Sequence, residues 1–122
     1  MTAGFSSTAF TPGDIVAGNS HLLTTRAITL ATGENLTRGA VLGKVTADGK
    51  YKLSLSGAAD GSEVPDLILA EDCDASAGDK AAVAYERGDF IEQALAYGTG
   101  HDADSVRETL RDKGIVLIKQ GD

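Results

Sequence analysis

Ala40-Val41-Leu42-Gly43-Lys44-Val45-Thr46 and Tyr51-Lys52-Leu53-Ser54-Leu55-Ser56 flank the dipeptide Asp48-Gly49. The first segment is a short apolar strand. Asp-Gly suits the positive backbone angles of a tight hairpin. In the return segment Tyr51, Leu53 and Leu55 alternate with Lys52, Ser54 and Ser56, the period of two expected of a strand with one buried face. A hairpin at this place makes the chain a β protein, and the neighbouring segments extend that reading.

Upstream, His21 to Leu30 carries Leu22, Thr24, Arg26, Ile28 and Leu30 in a looser alternation rich in Thr, and Gly33 to Gly39 reads as a polar turn region. Downstream, Gly57 to Glu63 is a loop and Pro65 opens the next segment. Leu67-Ile68-Leu69-Ala70 is uninterrupted apolar chain, the mark of a strand buried on both faces. Glu71 to Asp79 is read as a solvated acidic loop. Lys80 to Glu86 is another strand, with Val83 and Tyr85 on one face, and Arg87-Gly88-Asp89 is read as the turn that ends it. Phe90 to Ala96 is ambiguous between strand and helix, and Gly98 and Gly100 break it.

One helix is marked after these glycines. Asp102 or Asp104 can cap its start, Ser105-Val106-Arg107-Glu108 matches a capping box, and Val106 and Leu110 share a face. Lys113 suits the negative end of the helix dipole, and Gly114 the left-handed stop. Ile115 to Lys119 forms a last strand. The expected fold class is therefore mainly β with one or two short helices, in a small domain of residues 21–122.

Residues 1–20 differ in composition: Ser, Thr, Gly and Ala dominate, with Asp14 the one charge. So little apolar surface does not offset the entropy of ordering, and the segment is expected to be an extended, flexible arm. Two of the three Phe residues, Phe5 and Phe10, nevertheless lie in it. Either Phe10 tucks onto its own domain and Phe5 is incidental, or both anchor a partner. On the second reading Phe5, Thr8, Phe10, Thr11 and Pro12 are the candidate partner-binding residues, with Pro12-Gly13 as the hinge.

The 122 residues carry a formal charge of −7 and no cluster of Lys and Arg, which disfavours nucleic acid and anionic membrane as partners. The core is rich in Ala and has no Trp, so oligomerisation is a natural source of added stability. The single cysteine, Cys73, can build neither an internal disulfide nor a Cys-based zinc site. No signal peptide or membrane-spanning stretch is evident, and synthesis in the cytoplasm is expected.

Asp72-Cys73-Asp74-Ala75-Ser76 alternates like a calcium loop. The comparison then fails, because Ala77 stands where the loop needs glycine and Val83 where it needs a bidentate acid, so no metal is expected. His21 and His101 are the only histidines. An enzyme would need His101 beside a serine and an acid in a structured pocket. Neither histidine lies in a catalytic motif, and no cofactor fingerprint is present.

The order of segments carries more than any one of them. Arg38-Gly39-Ala40-Val41-Leu42-Gly43 leads to Lys50-Tyr51, then Ile68-Leu69-Ala70-Glu71-Asp72 and Ala77-Gly78-Asp79. Val83-Ala84-Tyr85-Glu86-Arg87-Gly88-Asp89-Phe90 follows, then Ser105-Val106-Arg107-Glu108-Thr109-Leu110 and Lys113-Gly114-Ile115. This series, from about Gly18 to Lys119, resembles the lambda-type head-decoration protein family. The resemblance implies a non-enzymatic β-rich capsid cement on the outer surface of the virion. Its partners would be the major capsid protein and two further copies of itself, in a trimer at three-fold and quasi-three-fold sites of an expanded head. It also implies an N-terminal arm that orders on the shell, and resistance to the pressure of packaged DNA. Another trimeric phage module, such as a tail or fibre component, is the alternative.

Overall fold

A computed structural model describes Val16 and residues 23–119. Among the described residues there are eight strands: β1 (Thr24–Leu30), β2 (Asn35–Leu36), β3 (Val41–Lys44), β4 (Tyr51–Leu53), β5 (Pro65–Leu69), β6 (Cys73–Asp74), β7 (Lys80–Ile91) and β8 (Ile115–Ile118). A short 3-10 turn (Glu92–Ala94) and one helix, α1 (Ala103–Asp112), lie between β7 and β8. The chain is mainly β, as its sequence predicts.

The expected hairpin is β3–β4, with Lys44 opposite Tyr51 and Leu42 opposite Leu53. Its connection is Thr46 to Gly49, closed by Val45 N–H donating to Lys50 O at 2.8 Å. Gly49 adopts φ +75°, the conformation Asp-Gly was expected to supply. The return strand is shorter than its alternation suggests. Leu55 is exposed, while Ser54 is fully buried. Ser54 N–H donates to Val41 O at 2.9 Å, and Gly98 passes so close to the Ser54 carbonyl that a Cβ would lie 2.0 Å from it.

The main sheet runs β1-β4-β3-β5-β7-β8, and β1 also pairs with β7, so five strands close into a barrel-like ring. β8 lies outside the ring, parallel to the last part of β7. A parallel pair needs a crossover, which α1 supplies.

The ring divides the interior in two. β5 shows why Leu67-Ile68-Leu69 is apolar throughout. Leu67 and Leu69 point into the ring with Ile28, Leu30, Leu42 and Tyr51. Ile68 points the opposite way, into a second cluster with Val41, Phe90, Val106, Leu110 and Ile115. Successive side chains of a strand face opposite sides, so a wall between two cores must be apolar at every position. Val106 and Leu110 are the face by which α1 joins this second core.

Three local expectations are corrected. Arg87-Gly88-Asp89 is not a turn but lies within the latter part of β7, where the strand changes partner from β1 to β8. The register shifts between Thr24 and Thr25, which leaves Glu86 as an extra residue on β7. Gly88 takes φ +147° there, and a Cβ would lie 2.4 Å from Leu23 Cδ2. The capping box is not Ser105 to Glu108 but Asp102 to Ser105: Asp102 Oδ1 accepts from Ser105 N–H, and Ser105 Oγ accepts from Asp102 N–H, both at 2.9 Å. The two segments read as irregular, Gly33 to Gly39 and Glu71 to Asp79, contribute β2 and β6, which pair with each other.

Candidate functional site

Phe5, Thr8, Phe10, Thr11 and Pro12 lie outside the described residues, as do His21 and Pro12-Gly13. Val16 is described. It forms an antiparallel bridge with Phe90 and packs against the second core. Val16 therefore lies beside the last part of β7, whose other side carries β8.

The acidic loop uses its carboxylates to close the chain rather than leaving them all in water. Asp72 Oδ1 accepts from Arg38 N–H at 2.8 Å. Asp74 accepts from the Ser76 N–H and hydroxyl, and these bonds lower its pKa. Asp79 accepts from Lys50 Nζ at 2.5 Å, and from Thr32 N–H and Oγ1 at 2.9 and 2.8 Å. The Lys50 ammonium, then the Thr32 bonds, hold the Asp79 carboxyl down at about 2. Cys73 is buried, its Sγ 3.9 Å from Ala81 O. Among the described residues no group of three or more His, Cys, Asp or Glu is placed to hold a metal ion, and no helix is long and apolar enough to cross a membrane.

His101 does meet a serine. Its Nδ1 lies 3.0 Å from Ser105 Oγ. Its Nε2 lies 3.0 Å from Glu63 O, an atom that only accepts, so Nε2 carries a proton. A hydrolytic triad would place a carboxylate there. The nearby acid, Asp102, instead caps the helix through Ser105 N–H, and Ser105 Oγ is a member of the same capping box. The imidazole ties the loop at Glu63 to the start of α1, and the arrangement is structural.

Large exposed apolar side chains are Leu55, Val64, Val116 and Ile118. Val116 and Ile118 share the outer face of β8, next to an open strand edge. That edge is partly guarded: Arg107 of α1 donates through Nη1 to Leu117 O at 3.1 Å, and its Nη2 is held by Glu92 Oε1 at 2.7 Å and Asp104 Oδ1 at 3.3 Å. Such a side chain blunts edge-to-edge association. Tyr51, buried in the ring's core, donates its hydroxyl to Asp66 Oδ2 at 3.0 Å. Burial, then the Asp66 charge, pushes its pKa up to about 12.

Residues 6–115 match the family model described as bacteriophage lambda head decoration protein D. No curated protein matches the chain.

Proposed function

Because the chain belongs to the bacteriophage lambda head decoration protein D family, we propose that it binds as a homotrimer to the outer surface of an expanded phage head, at three-fold and quasi-three-fold sites, and stabilises the shell against the pressure of packaged DNA. The observation that carries this reading is the match over residues 6–115, which runs through the β domain to the start of β8 and also includes Thr8, Phe10, Thr11 and Pro12. A closed three-fold ring of subunits suits a three-fold site by symmetry. Three chains together carry 3 × −7 = −21 formal charges, so apolar contacts must drive their association. A trimer engages three shell subunits at once, and its avidity depends on their spacing. It stabilises the expanded state to the extent that it prefers that state.

Residues Thr2 to Asp14 are the proposed contact arm, with the β domain as its base. Ordering the backbone costs about 1–2 kcal/mol per residue, and each backbone hydrogen bond returns about 0.5–1.5 kcal/mol. Burial of Phe5 and Phe10, roughly 1.5–3 kcal/mol each, supplies the balance. The test is cosedimentation with purified expanded and unexpanded capsids, using the full chain and a chain lacking residues 2–10. The reading expects binding to expanded capsids, with a severe loss on truncation. Equal affinity for both shells would remove the stabilising mechanism, and full binding by the truncated chain would remove the arm.

A further inference from the structure

Strand β1 is hydrogen-bonded along its length to β7, but on its other side it meets β4 only at its end. Ala70 N–H donates to Val83 O at 2.9 Å, so the Val83 carbonyl faces β5, and its neighbours Ala82 and Ala84 face β1. Their partners across the pair are Ile28 and Arg26. The backbone groups of Ala27 and Thr29 therefore point away from β7. Ala31 confirms the phase, since its N–H turns to the same outer side and donates to Tyr51 O at 2.8 Å. β4 meets β1 at one position, Leu30 opposite Tyr51, and the chain before Tyr51 turns away into the hairpin loop. That contact uses Ala31 N–H and, by the geometry of a parallel pair, the Thr29 carbonyl. Ala27 N–H, Ala27 C=O and Thr29 N–H have no backbone partner among the described residues, and both residues are exposed.

Beside this edge runs an open groove whose lining includes Arg26, Ala27, Thr29, Lys44, Gly49 and Tyr51. Arg26 and Lys44 are exposed, and neither forms a salt bridge among the described residues, although the chain carries 18 acidic residues. The nearby Asp66 is engaged by Lys113 Nζ at 3.1 Å and by the Tyr51 hydroxyl. The contrast with β8 is informative: there the edge is plugged by Arg107, whereas here two unpaired cations flank an edge with no plug.

We propose that the open edge of β1 receives a short, extended acidic segment of the shell protein as an added strand, with Arg26 and Lys44 meeting its carboxylates. The proposal rests on the capsid-decoration reading and specifies a second contact, made by the body rather than by the arm. Backbone bonds at Ala27 and Thr29 give the strand its register, and the two cations select an acidic sequence over a basic one. A second copy of this chain, itself acidic, is the rival occupant.

The experiment uses full-length protein and purified expanded capsids. Two variants are compared with the wild type: Arg26→Glu with Lys44→Glu, and Ala27→Pro. The latter removes the outward N–H and leaves the bonds to β7, which run through Arg26 and Ile28. The expected result is capsid binding weakened about tenfold or more by the double charge reversal, since two screened surface attractions become repulsions. Wild-type affinity should also fall as salt is raised. Amide exchange at Ala27 and Thr29 should be fast in the free protein and protected on capsids. The charge-reversed variant probes the edge even if Ala27→Pro does not fold. Wild-type binding with both amides unprotected and no effect of charge reversal would overturn the edge contact alone. Absence of any wild-type binding would overturn the decoration reading and this proposal with it. If charge reversal instead abolishes self-association of the free protein, measured by native mass, the edge joins copies of this chain and the proposal is wrong.

Discussion

Ser54→Ala should make the protein more stable. Ser54 is fully buried just after β4, and its Oγ has no hydrogen-bond partner among the described residues. An unsatisfied buried hydroxyl costs about 1–3 kcal/mol relative to its hydration in the unfolded chain. Alanine keeps the Cβ and removes the oxygen. The void left is smaller than a water molecule, and its lost dispersion contacts cost at most about 1 kcal/mol. The backbone bond from Ser54 N–H to Val41 O does not depend on the side chain. The net gain is about 1 kcal/mol, equivalent to a rise in Tm of about 3–6 °C for a domain of this size. Thermal unfolding by circular dichroism and urea titration measure it, and an unchanged m-value shows that the gain is one of stability. Ser62 is the control. It is equally buried, but its Oγ donates to Asp60 Oδ1 at 2.5 Å, so Ser62→Ala should lower the midpoint. A Tm for Ser54→Ala at or below wild type would show that the hydroxyl is satisfied and refute the reasoning.

Ile68→Ala, at the wall between the two cores, should cost about 2–5 kcal/mol by urea titration, because a fully buried side chain leaves a cavity that β5 cannot collapse without moving both cores. Gly88→Ala should cost about 1–3 kcal/mol through its φ of +147°, again read from unfolding midpoints; a neutral effect would show that the backbone is not held at that angle. Asp60, Asp74 and Asp79 have pKa values below the ordinary 3.8, Asp60 and Asp79 at about 2. A depressed carboxyl stabilises the fold above its unfolded value, so Tm should fall as pH drops from about 4 toward 2, and Asp79→Asn should flatten part of that slope.

The fold class was legible because the strands carry it locally. The Tyr51–Leu53 alternation, the Asp-Gly connection and the apolar run at Leu67 to Leu69 each reflect a period of two or burial on both faces. The helix is legible from Val106 and Leu110 and from Asp102 as its cap, whereas the capping box reads one turn late because Ser105 can serve either as its first residue or, as here, its last. Long-range pairing was not legible. Gly88 looks like a turn residue until β8 is seen to continue β7 beyond it, and Leu55 looks like a core residue until Gly98 is found pressed against Ser54. The acidic loop hid its role for the same reason: Thr32, Arg38 and Lys50, which occupy its carboxylates, lie far away in sequence. The open edge of β1 has no sequence mark, since whether a strand is paired on one side or two depends on where the β3–β4 hairpin ends. The arm was singled out by composition, and the family match extends into it from residue 6.

The measurement that tests the central claim most directly is imaging of the purified protein bound to empty expanded capsids, averaged over the shell. The account predicts three copies around each three-fold and quasi-three-fold position on the outer surface, and little occupancy on unexpanded shells. A bare expanded shell at saturating protein, or density confined to the tail, would contradict it.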